Sequence, residues 1–400
     1  MKKIAILVFF TVGFFVHVWA CTGLIAGKQA TVDGSVLVTY SADSHTLYGA
    51  LTSSPAADWP KGSMRSIVEW DTNKPLGEIE QVEHTYAVIG NMNEHQLTVV
   101  ESTWGGRPEL VDTTGIIDYG SLMQLALERA KTAREAIKVM TGLVKKYGYY
   151  SSGESFTIAD PNEAWILDLI GKGPGRRGAV WVAVRIPDDC IAGHANYPRI
   201  HKIPMDDKEN CLYSPDVISF AREMGYFDGL NKDFSFARAY SPADFGALRA
   251  CDARVWSFFR KYDSTMDNYL PYVNGESAEP FPLYVKPSRK LSVQDMKEAM
   301  RDHFEDTPFD MTQDVGAGPF KVPYRFRPMS FEVDGKSYCM ERAIATQQTG
   351  FTLVGQMRNW LPDPVGGVLW FGVDDANTCV YIPMYCGITQ VPECFSPENG

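Results

Sequence analysis

A short basic start, an apolar run and a small-residue stop lead directly into a cysteine, and this junction restricts the fold more than any other stretch. Lys2 and Lys3 precede the run Ile4 to Val16, broken only by Thr11 and Gly13, and Val18-Trp19-Ala20 closes it with the small residue a signal peptidase needs. The run is shorter than the roughly 20 residues of a retained spanning helix. Residues 1–20 therefore read as a removed signal peptide, and 21–400 as the mature chain, a single domain beginning at Cys21. The text that follows, "CTGLIAGKQATVDGSVLVTYSADSH", is strand-like at once. Cys21 then stands at the head of a strand.

Three chemistries want a cysteine there. A lipoprotein would use it as an acylated tether, but Trp19 is bulky for the dedicated peptidase and no polar, flexible linker follows. An exported chain could use it in a disulfide. The third role is a nucleophile whose own freed α-amine, with an ordinary pKa of about 7.7–8.0, serves as its base. In that case the signal peptidase is also the activating protease, because an amide nitrogen accepts no proton.

Composition narrows the partners. The chain has 45% apolar and 12% aromatic residues, an ordinary globular content, and a formal charge of −11. Without a cationic excess, nucleic acid and anionic membrane surfaces are poor partners. Of the 8 cysteines, those other than Cys21 leave an odd number for bridges. Cys379, Cys386 and Cys394 are widely spaced with no histidine beside them, and His194 and His201 lack a carboxylate companion, so neither group reads as a metal site.

Along the chain, "TGLIAG", "SVLVTYS", "MRSIVEW", "VEHTYAVIG" and "QLTVVES" predict strands separated by polar turns. "DYGSLMQLALERA" and "TAREAIKVMTGLVKKYG" predict a helix pair, the second with an apolar stripe at three-to-four spacing and a closing Gly148. "SFTIAD", "EAWILDLI" and "AVWVAVRI" return to strands. Helices are expected around 217–224, 247–262 and 293–304, and late strands near 342–346, 351–356, 367–373 and 380–383. Strand groups flanking helices predict an α+β fold, two stacked sheets covered by helices in a four-layer αββα sandwich.

The ordered strings "CTGLIAGKQATVDGSVLVTYSADSH", "NMNEHQLTVVESTWGG", "DYGSLMQLALERAKTAREAI", "ADPNEAWILDL" and "AGHANYPRI" closely resemble the cysteine dipeptidase family of N-terminal-nucleophile hydrolases. Secernins are relatives, and penicillin V acylase and bile salt hydrolase are more distant ones. The resemblance covers most of the mature chain and is strongest from Cys21 to about Arg199. It implies the αββα fold, an amide-hydrolysing site at the first residue, and no metal or organic cofactor.

Residue by residue, Cys21 matches the nucleophile and Asp43 in "TYSADS" the carboxylate that orients the free amine. Asn196 in "HANYPRI" matches the oxyanion-hole amide. Arg254 in "DARVWSFF" matches a late active-site arginine, with a solvated helix face as its other reading. Glu101, Ser102 and Thr103 fall where relatives place a second, substrate-binding group. Tyr40 departs from the acylase pattern, which has an arginine three residues before the aspartate. A tyrosine carries no permanent cation to depress the thiol pKa, so Tyr40 is read as a substrate-side or core residue.

The expected activity is hydrolysis of short peptides such as dipeptides, in the periplasm or outside the cell. The alternatives are an amidase acting on acylated small molecules and a non-enzymatic lipoprotein held by Cys21. The expected partners are a short peptide and the maturing signal peptidase. The number of subunits, self-association included, stays open.

Overall fold

The computed structural model describes residues 21–44, 49–325 and 330–396. The leader, 1–20, lies outside them. The elements that frame the site are β1 (Thr22–Ala26), β2 (Val36–Asp43), β3 (Thr98–Trp104), α1 (Tyr119–Arg129), α2 (Ala133–Tyr147), β4 (Gly153–Ala159), β5 (Ala164–Gly171), β6 (Ala179–Ile186), β7 (Ile191–His194), α3 (Ala253–Arg260), α4 (Val293–Met300), β8 (Thr349–Met357), β9 (Val368–Val373) and β10 (Ile382–Tyr385).

The strands form two large antiparallel sheets. A 7-stranded sheet runs Tyr284–Val285, β7, β1, β2, β8, β9, β10. An 8-stranded sheet runs Cys211–Tyr213, β6, β5, β4, β3 and then the short pairs Met92–Asn93, Val88–Ile89 and Ser53–Ser54. The fold is α+β, as expected from the sequence.

Alternation along β2 explains how the layers meet. Val36, Val38, Tyr40 and Ala42 join a core cluster that also holds Val100, Ile166 and Val182 of the other sheet, whereas Leu37 turns to the opposite side with Trp256, Phe259 and Met296 of α3 and α4. A further cluster packs Val99, Phe156 and Ile158 against Leu122, Ala126, Ile137 and Met140 of α1 and α2. Every residue of β1 and β2 is buried, as strands covered on both faces must be.

The helix pair keeps the punctuation read from the sequence. Asp118 caps α1 by accepting from the Ser121 N–H, and Thr132 caps α2 through the Glu135 N–H. Gly148 closes α2 at φ 82°, a left-handed geometry that favours glycine.

Several expectations need correction. "VEHTYAVIG" holds only the two-residue pieces His84–Thr85 and Val88–Ile89. The helix expected over 247–262 begins as a π-helical stretch, Ala247–Asp252, before α3, and α4 stops at Met300. No strand forms at 342–346: the Arg342 guanidinium turns back onto the carbonyls of Ala343 and Ile344, occupying acceptors a ladder would use. Cys21, Cys190, Cys211, Cys251, Cys379, Cys386 and Cys394 are free thiols, so no bridge joins any of them.

Candidate active site

β1 places Cys21 at its leading edge, beside the end of β2, where Thr22 pairs with Ser41 and Gly23 with Tyr40. Burial leaves Cys21 only 5% exposed. Its side chain lines a cavity of about 70 Å³ together with Tyr40, Asp43, Trp70, Asp71, Asn91, Glu101, Tyr119 and Gln124. The cavity thus opens between the end of β2, the middle of β3 and the first turns of α1.

Tyr40 connects the nucleophile candidate to an acid pair. Its hydroxyl lies 3.7 Å from Cys21 Sγ and donates to Glu101 Oε1 at 2.5 Å. Glu154 on β4 stands opposite Thr103 on β3, and Thr103 Oγ1 donates to Glu154 Oε1 at 2.6 Å while approaching Glu101 Oε2 at 3.5 Å. Burial drives both carboxyls upward. Glu154 rises furthest, first by burial and then by the charge of Glu101, with which it shares a hydrogen bond.

The same surroundings keep the sulfur protonated. Burial pushes the Cys21 thiol well above its ordinary value, the charges of Glu101 and Asp43 push it further, and hydrogen bonds from the Asp43 backbone and the Tyr40 hydroxyl oppose them. No guanidinium stands where the acylase pattern has its arginine. A base at the sulfur is therefore a chemical requirement for thiolate formation here.

Asp43 is held firmly. It accepts from Thr349 Oγ1 at 2.6 Å and Ser41 Oγ at 3.2 Å, and the Arg342 guanidinium pairs with it in a fully buried ion pair. Arg342 comes from the irregular segment that failed to form a strand, and that failure is what delivers it.

Arg254 joins the two halves of the site. From the first turn of α3 its Nη1 donates to the Cys21 carbonyl at 2.9 Å and Thr22 Oγ1 at 2.8 Å, while Nη2 donates to the Ala195 carbonyl at 3.2 Å and Asn196 Oδ1 at 2.8 Å. It is 1% exposed, so the solvated-face reading is wrong. Burial lowers its pKa to about 10, which leaves it a cation at neutral pH.

Asn196 follows β7 at φ 54° and donates one Nδ2 hydrogen to the Thr103 carbonyl at 2.5 Å. An amide nitrogen carries two hydrogens, so one Nδ2 hydrogen of Asn196 is left over from that bond, and Asn196 itself does not line the cavity. Ser102 points away from the cavity: its hydroxyl meets His194 Nδ1 at 2.6 Å and accepts from the Asn196 N–H at 3.1 Å. It supports the site from behind and does not line it. Thr103 likewise touches the acid pair and not the cavity wall.

His194 bridges the sheets through Ser102 and through Thr157 Oγ1 at 2.8 Å, and burial lowers it to about 3, a neutral core histidine. His201 meets Ser235 instead, at 3.1 Å. Among the described residues no group of His, Cys, Asp and Glu has the makings of a metal site.

Sequence reasoning missed Glu154, Arg342, Asp71 and Tyr119. Tyr119 donates to Asp71 Oδ1 at 2.8 Å at the cavity rim, and desolvation raises Asp71 to about 6. Glu154 did leave a signal, an acid opening a run that is otherwise strand core; Arg342 left none.

The chain is similar to known proteins over nearly its whole length. The model of Peptidase family C69 matches residues 20–400. A probable dipeptidase of Salmonella dublin is 27% identical over 396 residues, covering 92% of this chain and 81% of that protein. A probable dipeptidase of Latilactobacillus sakei is 25% identical, covering 94% and 76%. Dipeptidase A of Lactobacillus helveticus is 25% identical, covering 94% and 77%.

Proposed function

The chain belongs to peptidase family C69, and on that premise we propose that it is an exported dipeptidase whose nucleophile is Cys21, made amino-terminal by signal-peptide removal. The fold that suits this reading is the four-layer αββα sandwich of N-terminal-nucleophile hydrolases, as one domain over 21–400. Two sheets sharing one core cluster, each backed by helices, support it.

The observation that carries the reading is the convergence on Cys21. A buried cysteine heads a central strand, shares a cavity with Asp43 and Glu101, and has its carbonyl tied by Arg254 to Asn196. In the mature protein the Cys21 α-amine takes the thiol proton, with Asp43 orienting it. The sulfur attacks the scissile carbonyl carbon, and the oxyanion is held by the remaining Asn196 Nδ2 hydrogen and backbone donors. The ammonium returns its proton to the leaving nitrogen as the C–N bond breaks. Water, deprotonated by the same amine, then opens the thioester and regenerates the thiol.

Dipeptide hydrolysis by a protein beginning at Cys21, compared with one bearing an uncleavable residue before it, tests the reading. The first is expected to be active, and the second folded but at least a hundredfold slower. Cys21→Ala is expected to be inactive in either form. Full activity with the terminus blocked ends this mechanism; a diacylated Cys21 in the mass spectrum, with function kept in a soluble protein lacking it, establishes the lipoprotein instead.

A further inference from the structure

The cavity beside Cys21 has a one-sided charge. Asp43, Asp71 and Glu101 line it, and among the described residues no Lys, Arg or His does. Asp43 is already matched by Arg342. Glu101 is not: its partners are the hydroxyls of Tyr40 and Thr103, the Cys21 thiol and the neighbouring Glu154, and among the described residues it makes no ion pair. Behind it Glu154 is fully buried, and its Oε2 has no hydrogen-bond partner. A buried pair of acids with no ion pair among the described residues is a costly arrangement once either carries charge. A cation with several N–H donors arriving in the cavity would meet the Glu101 carboxylate, the member of the pair that lines it.

We propose that Glu101, backed by Glu154, receives the α-ammonium group of the substrate's first residue, so that Cys21 opens only the bond that follows a free amino-terminal residue. The assignment rests on the dipeptidase reading above and adds to it what the pocket selects.

Reach supports it. The α-nitrogen of the residue that owns the scissile carbonyl lies about 2.5 Å from the attacked carbon by ordinary bond lengths and angles. It must therefore sit beside Cys21 Sγ, where Tyr40 spans from sulfur to Glu101. An ammonium there accounts for the unmatched charge; an acylated nitrogen brings no charge and adds bulk against a buried acid. Asp71, held by Tyr119 at the rim, adds attraction on the way in.

The test uses L-alanyl-L-alanine and N-propionyl-L-alanine, the same skeleton without the amine, on protein beginning at Cys21. Wild type is expected to favour the dipeptide in kcat/KM by about 30-fold or more, the scale of a lost buried charge partner. Glu101→Gln is expected to erase that preference, read as the ratio of kcat/KM for the two compounds, with the dipeptide's extra loss falling on KM. Equal loss of kcat on both compounds overturns the assignment and moves Glu101 to the Cys21 amine. Calorimetric binding to Cys21→Ala gives a readout that needs neither turnover nor the Glu101 variant's folding. Tighter binding of the dipeptide by a similar factor supports the proposal, and equal binding overturns it. A wild type that cleaves no dipeptide ends the functional reading alone, because the binding comparison still decides the ammonium site.

Discussion

Asp252 and Arg254 stand two residues apart at the start of α3, yet they serve two buried polar clusters of opposite character. On one side Asp252 pairs with Arg199 at 2.9 Å and accepts from the Tyr272 hydroxyl at 2.8 Å, and the Arg199 guanidinium stacks 3.9 Å from the Phe281 ring centroid. Arg199 also donates to the Phe281 and Pro282 carbonyls, so charge meets charge and most of the remaining donors are used. On the other side Arg254 reaches toward Cys21, where Glu101 and Glu154 are buried with only hydroxyls and each other. Burial costs both clusters alike. The difference is in charge: the Arg199 cluster pairs a cation with its carboxylate inside the chain, although Arg199 Nε and Asp252 Oδ1 have no hydrogen-bond partner, while among the described residues the acid pair makes no ion pair.

The largest effect expected from that contrast is on stability. Arg199→Met leaves Asp252 buried and unpaired, which costs about 3–5 kcal/mol, read as a lower urea midpoint, while kcat and KM of the folded fraction stay close to wild type. Unchanged stability would mean that the Arg199 cluster is no more self-sufficient than the acid pair, and the comparison would break. Next comes Asn196→Ala. Loss of one oxyanion donor lowers kcat about 10²–10³-fold, with circular dichroism and the unfolding midpoint little changed; a normal rate in a folded variant removes Asn196 from the reaction.

The smallest effect is a shift in titration. Like charge from Glu101 helps hold the Cys21 thiol up, so Glu101→Gln is expected to move the midpoint of iodoacetamide alkylation to lower pH and speed alkylation at pH 7. The sign follows from removing an anion that disfavours the thiolate. A midpoint unmoved or raised would show that Glu101 is uncharged beside the sulfur, and the contrast with the Arg199 cluster would lose its electrostatic basis.

Much of the site was legible because short-range motifs carried it. Cys21 and Asp43 lie on paired strands within one stretch of sequence, and Asn196 follows a strand end whose turn chemistry is visible in "HANYPRI". Arg254 was found by its motif, though periodicity alone left it on a solvated face. Ser102 was placed at the substrate and instead braces His194 and Asn196, because adjacent residues of a strand point to opposite faces and only the register decides which one meets the cavity.

The sequence alone determined the α+β composition of strands and helices, the helix pair with its caps, and the cysteine singled out as the nucleophile candidate, since these depend on residue type and on neighbours a few positions away. Tertiary structure decided which charges meet. Arg342 reaches Asp43 across 299 residues of chain, and Glu154 reaches Thr103 across 51. No local pattern encodes such pairings, because burial and partner, not spacing, determine whether a carboxylate is matched. The unmatched acid beside Cys21 emerged only when the strands and helices had closed around it.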